Sequence, residues 1–272
     1  MYPKIFGIDS YIIFAALGFA AAFTVGFFRR KKYSYEIRDL VAMLLMGGAG
    51  LVIGAQFLFF LTMVPEIIGN FSWELLADKI SHLGFVFYGG LIGAMAGLAI
   101  LAKLIRRSAT EMLNFVIPSF AAFHAVGRIG CFLDGCCHGV RWEHGFECNA
   151  DFLCFPIQLV EAAGIAVIFV ILMLIERYNN KTNRKIPMLP TYFLLYGILR
   201  FVDEFWRGDV LRGVTTVTLN YSTSTYTGDF SFDISTSQII SVILIAYSAV
   251  ALIGFFKKKP TDSKPTAADN EE

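Results

Sequence analysis

One stretch of this sequence carries most of the side chains able to do chemistry. It reads His-Ala-Val-Gly-Arg-Ile-Gly-Cys-Phe-Leu-Asp-Gly-Cys-Cys-His-Gly and runs from His124 to Gly139. At its centre is Arg128, a permanent cation whose five fixed donors suit a phosphate or a carboxylate. Around it stand His124, Cys131, Asp134, Cys136, Cys137 and His138. The four glycines Gly127, Gly130, Gly135 and Gly139 are expected to break the helical pattern and let backbone N–H groups approach a ligand closely. The plainer alternative is a helix-capping loop with small apolar cysteines and a snorkelling arginine. So dense a polar cluster beside an apolar segment points instead to a substrate path.

A second constellation follows at Arg200-Phe-Val-Asp-Glu204-Phe-Trp-Arg207. The i, i+4 and i+7 spacing puts Arg200, Glu204 and Arg207 on one helix face. An ion pair that merely ties helices together is the alternative. Burying such a pair is costly and often no better than apolar packing, which favours a functional reading. Arg128, Arg200 and Arg207 would make a cationic chamber, and its natural guest is an anionic phospholipid headgroup.

The elements that must position these residues follow from composition. Hydrophobic residues make up 56% and charged residues 17%, with 27 phenylalanines in 272 residues and a mean hydropathy of +0.60. A soluble domain has about 45–50% apolar and about 25% charged residues. The pattern predicts an all-α, polytopic integral membrane protein of about seven spans of ~20 residues each. The expected spans are 10–28, 40–64, 84–104, 112–127, 156–175, 188–206 and 237–256, the fourth ending at Gly127. Residues 1–256 read as one transmembrane domain and 257–272 as a polar tail. The segment from Pro65 to His82 reads as an interfacial amphipathic arm. The Thr/Ser/Tyr-rich segment from Gly208 to Asp233 reads as an outer loop with strand-like alternation. Basic clusters at Arg29–Lys32, Lys103–Arg107, Arg177–Lys185 and Lys257–Lys259 all fall on one side, hence the cytoplasm. The amino terminus is then outside and the carboxyl terminus inside. Tyr11, Tyr88, Arg128 and Glu161 lie at the outer face.

Five cysteines make an odd count, so at least one thiol stays free unless chains pair. Cys148 and Cys154, in an outer loop, are placed to form a disulfide. Cys131, Cys136, Cys137 and His138 have ligand chemistry suited to zinc or to a redox-active thiol site. A non-enzymatic lipid-binding membrane protein is a further alternative.

The residues also carry a resemblance. Gly-Arg-Ile-Gly-x-Phe-x-x-Gly-x-x-x-Gly at 127–139 resembles the signature of prolipoprotein diacylglyceryl transferase. Tyr11 resembles that family's first-span tyrosine, and Tyr88-Gly89-Gly90-Leu-Ile-Gly its His-Gly-Gly-Leu-Ile-Gly element. Pro156-Ile-Gln158-Leu-Val-Glu161 is similar to its Pro-Ser-Gln-Leu-Tyr-Glu, Arg200-Phe-x-x-Glu204-Phe-x-Arg207 to its sixth-span motif, and Ile234-Ser-x-x-Gln238 to the start of its last span. The resemblance covers roughly residues 5–255. It implies transfer of the diacylglyceryl group of phosphatidylglycerol to a prolipoprotein lipobox thiol, with glycerol 1-phosphate departing, at the outer leaflet of the bacterial cytoplasmic membrane. It implies no metal or organic cofactor and no nucleic-acid partner. Arg128, Arg200, Glu204, Tyr88 and Tyr11 take the catalytic positions. Arg128, Gly139, Arg207, Cys131, Asp134, Cys136, Gly89 and Gly90 take substrate-binding ones. Three positions depart from the family: Cys131 stands for asparagine, Cys136 for glutamate and Tyr88 for histidine. His124 and His138 are then the alternative bases.

Overall fold

The computed structural model describes residues 4–69, 72, 86–148, 152–182, 185–208, 214–222 and 227–257. Among these residues the helices are α1 (Ser10–Arg29), α2 (Ile37–Gly69), α3 (Phe87–Leu104), α4 (Ala109–Asp134), α5 (Ile157–Lys181), α6 (Met188–Asp203) and α7 (Thr236–Lys257). Short 3₁₀ turns follow α1 at Arg30–Tyr33 and α6 at Glu204–Trp206. Three two-stranded antiparallel ribbons join them, so the all-α expectation needs amending. They are β1 (Lys4–Ile5) with β2 (Ile8–Asp9), β3 (Arg141–Glu147) with β4 (Leu153–Cys154), and β5 (Val214–Ser222) with β6 (Thr227–Ser235). The strand-like alternation read in the Gly208–Asp233 loop thus becomes a hairpin paired from Val214↔Ser235 to Ser222↔Thr227.

Helices α1, α2, α4, α5 and α7 are long and apolar enough to cross a bilayer. The third and sixth expected spans form shorter helices of 18 and 16 residues. Many large apolar side chains face outward, such as Leu45, Val167 and Val250. In water so much apolar surface would be a liability, whereas lipid is its proper solvent. The arm expected at Pro65–His82 begins as the last turn of α2, and most of the rest lies outside the described residues. So does the tail beyond Lys257.

The chain divides into two compact units, Met1–Phe169 with Trp206–Asp209, and Val170–Phe205 with Val210–Glu272. In the first, α2 and α3 meet along small residues. A Cβ on Gly54 would strike the Gly89 carbonyl, and one on Gly89 would meet Leu58 and the Gly54 carbonyl. That contact is van der Waals packing at backbone range, the expected use of glycine between membrane helices. Tyr35, Leu40, Met43, Leu98, Leu101, Ala102, Met112 and Phe115 form a buried cluster where α2, α3 and α4 meet. Beside it Arg29 is buried and donates from Nη1 to the Phe115 carbonyl at 2.6 Å. In the second unit α6 packs on α7, with Gly197 against Ser241 and Ile245. Tyr192 and Tyr196 stack there with centroids 5.7 Å apart.

Candidate active site

The fourth helix does not stop at Gly127. α4 continues through Arg128 to Asp134, so Gly127 and Gly130 are helical residues and the expected break moves to Gly135. A helical glycine costs about 1 kcal/mol relative to alanine, and at Gly130 packing outweighs that. A Cβ on Gly130 would lie 2.7 Å from the Phe14 Cβ, so its bareness lets α1 and α4 meet. Gly135 has φ +81° and returns its N–H to the carbonyls of Cys131 and Phe132, ending the helix in a left-handed cap.

The continued helix fixes Arg128 on the last two turns of α4. Its Nη2 forms an ion pair with Glu161 Oε2, and its Nη1 lies 3.8 Å from Cys131 Sγ. The Glu161 side chain is 1% exposed and that of Arg128 12%, so this pair stands out of bulk solvent. Glu161 and Gln158, spaced i, i+3 on the first turns of α5, share one face. Gln158 donates from Nε2 to the Cys136 carbonyl at 2.7 Å and so ties the post-helix loop to α5.

That loop is pinned along its length. Cys137 has φ +57°, in the left-handed region. The Gly139 N–H donates to the Phe155 carbonyl at 3.1 Å, and Gly139 pairs with Arg207 in an isolated bridge. A Cβ on Gly139 would lie 2.9 Å from the Phe155 Cβ and 3.0 Å from the Trp206 carbonyl. Only glycine fits there. Three free thiols, Cys131, Cys136 and Cys137, hydrogen-bond to one another beside Arg128. Hydrogen bonds from Cys131 and Cys136 pull the Cys137 thiol below its ordinary range, with Arg128 and Arg207 adding in the same direction. The Cys136 thiol is pushed up, first by its hydrogen bond with Cys131.

In the second unit Arg200 Nη2 lies 2.8 Å from Glu204 Oε2 and 3.1 Å from Ser237 Oγ. The side chains of Arg200 and Glu204 are 10% and 2% exposed. The pair expected from the i, i+4 spacing forms, although Glu204 already belongs to a 3₁₀ turn.

Each unit therefore holds a guanidinium paired to a buried carboxylate. The family profile described as prolipoprotein diacylglyceryl transferase matches residues 3–254. The chain belongs to the prolipoprotein diacylglyceryl transferase family. A phosphatidylglycerol–prolipoprotein diacylglyceryl transferase of Clostridium tetani is 31% identical over 239 residues, 85% of this chain and 93% of that one. The second such enzyme of Clostridium perfringens is 26% identical over 254 residues, 89% and 90% of the two chains. That of Cupriavidus metallidurans is 28% identical over 228 residues, 81% and 77%.

Within this transferase family frame the remaining expected residues take specific places. Tyr11 is half exposed on the first turn of α1, its Cα beside Gly130 and its ring within electrostatic reach of Arg128 and the three thiols. Asp134 closes α4. Tyr88 opens α3, and its side chain lies outside what is described. Gly89 and Gly90 face α2 at close range, so their contacts here are with Gly54, Leu58 and Leu51. His124 is buried with its ring 5.8 Å from that of Phe120. His138 sits against the Gly139 carbonyl, its Nδ1 3.0 Å away. The zinc grouping of His138 with Cys131, Cys136 and Cys137 is not the one the fold makes. Among the described residues His138 clusters with Cys148 and Cys154, which form the expected disulfide. Glu161 and Gln158 stood in a quoted motif but were given no role by sequence. Their i, i+3 spacing at the start of an apolar helix was the available signal.

Proposed function

We propose that this chain transfers the diacylglyceryl group of phosphatidylglycerol to the lipobox cysteine of bacterial prolipoproteins and releases glycerol 1-phosphate. The observation that carries this reading is the ion pair that Arg128 of the 127–139 signature forms with the buried Glu161. The incoming thiol loses its proton to a base, since the thiolate is the nucleophile. Its sulfur forms a C–S bond to the glyceryl carbon next to the phosphate. The C–O bond to that phosphate breaks, and its electron pair leaves with the phosphate oxygen. Arg128, held by Glu161, binds the phosphate and offsets the charge that grows as this bond breaks. Arg200, oriented by Glu204 and Ser237, is the second phosphate-binding guanidinium. Gly139, Cys131, Cys136, Asp134 and Arg207 shape and pin the loop beside the headgroup. Helices α1 to α4 line an apolar cavity of about 100 Å³, with Phe19, Phe23, Met43, Leu98, Phe115 and Phe123 in its wall. Such a lining suits part of an acyl chain. The reading needs no metal or organic cofactor.

The reaction takes place at the outer leaflet of the bacterial cytoplasmic membrane, with the amino terminus outside, seven spans and the carboxyl terminus inside. The basic clusters of the sequence support this orientation. Impermeant thiol labelling of intact cells tests it, with native thiols replaced. Thr223→Cys should label and Thr261→Cys should not; the reverse pattern overturns both orientation and site. The activity itself is tested by complementing a strain depleted of its own transferase. Restored growth with thioether-linked diacylglyceryl on a lipoprotein supports the reading. An inserted protein that leaves the precursor unmodified sinks it.

A further inference from the structure

We propose that reduction of the Cys148–Cys154 disulfide exposes a soft-metal site, in which His138, Cys148 and Cys154 hold a zinc-type divalent ion. The three residues lie around one ribbon. His138 precedes β3, Cys148 follows it, and Cys154 is in β4. Their ligand atoms all fall within 4.8 Å of one another. Tetrahedral zinc, with bonds of about 2.3 Å to sulfur and about 2.0–2.1 Å to nitrogen, needs ligand atoms roughly 3.5–3.8 Å apart. Once the S–S bond is cut, small side-chain rotations therefore reach that geometry.

The histidine is prepared for the task. An N–H on Nδ1 donates to the Gly139 carbonyl 3.0 Å away and leaves Nε2 with its lone pair. Metal-bound imidazoles are commonly oriented in this way. Cys154 is buried, while His138 and Cys148 are half-buried, and a water would complete the tetrahedron as the fourth ligand. The chemistry balances. An external dithiol is oxidised to its own disulfide and passes its two protons to the cysteines, or a phosphine is oxidised to the phosphine oxide with oxygen and protons from water. Either way the S–S bond breaks and the two cysteines become thiols. Both then lose a proton as the cation binds. Either closure anchors the same strap, because the His138 carbonyl accepts from the Gly208 N–H at 3.1 Å.

Cobalt(II) is the probe, added to the purified full-length protein in detergent before and after phosphine reduction. The reduced protein should take up one cobalt with sulfur-to-cobalt charge-transfer absorption, and the oxidised protein none. Cys148→Ser and Cys154→Ser should abolish the band, and His138→Gln should weaken binding roughly tenfold or more. A variant carrying Cys131→Ser, Cys136→Ser and Cys137→Ser should keep it. Alkylation mapped by mass spectrometry needs no variant: zinc should shield Cys148 and Cys154 in the reduced protein. Shielding of Cys131, Cys136 or Cys137 instead, an unchanged band in Cys148→Ser, or no uptake after reduction overturns the proposal.

Discussion

Arg128 and Glu161 meet as an ion pair between the end of α4 and the start of α5, with the glutamate almost fully buried. Two charges out of solvent are stable only while each has the other, and removing one partner typically costs about 3–5 kcal/mol. The carboxylate therefore decides where the guanidinium fork points. An isolated arginine at this depth would turn toward water.

Glu161→Gln keeps the shape and removes the charge. Losing a charge-assisted bond of about 1.5–3 kcal/mol should lower transfer roughly ten- to a hundred-fold and lower the thermal midpoint in detergent. Transfer assays and melting curves on one preparation check both. An unchanged rate would mean that the pair is structural.

The two glycines that begin and end the 127–139 signature should behave oppositely. Gly127 is helical, and a Cβ there meets nothing within 4 Å. Gly127→Ala should be neutral or stabilise by up to about 1 kcal/mol. Gly139→Ala drives a methyl into Phe155 and the Trp206 carbonyl, and overpacking of this kind costs about 1–3 kcal/mol. Melting curves for the pair would settle it, and equal destabilisation would refute this account of the loop.

These glycines also show how far the sequence could be read. Hydropathy located the helices because burial in lipid demands long apolar runs. It placed the end of the fourth at Gly127 because glycine propensity was weighed without α1, whose Phe14 fills the space beside Gly130. The Arg200–Glu204 pair was legible because its partners lie four residues apart, across the end of α6 and the 3₁₀ turn that continues it. The Arg128–Glu161 pair was not, because its partners are on different helices and only the fold brings them together. His138 was grouped with its nearest cysteines in sequence. The β3–β4 ribbon carries Cys148 and Cys154 back to it instead.

In the second unit, Ser237→Ala removes one hydrogen bond to Arg200, whose Nη2 lies 3.1 Å from that hydroxyl. A bond to a charged group contributes about 1.5–3 kcal/mol. The loss should raise KM for phosphatidylglycerol with little change in folding, and Glu204→Gln should do more. If Ser237→Ala and Glu204→Gln both leave KM and kcat unchanged, Arg200 does not hold the substrate phosphate.

The most direct measurement is diacylglyceryl transfer from labelled phosphatidylglycerol to a lipobox peptide by Arg128→Lys and Arg128→Ala, with membrane insertion verified. Lysine keeps the charge and loses the fork that Glu161 orients. The account predicts a drop of roughly ten- to a hundred-fold for Arg128→Lys and a larger one for Arg128→Ala. Transfer by Arg128→Ala at close to the wild-type rate would contradict it.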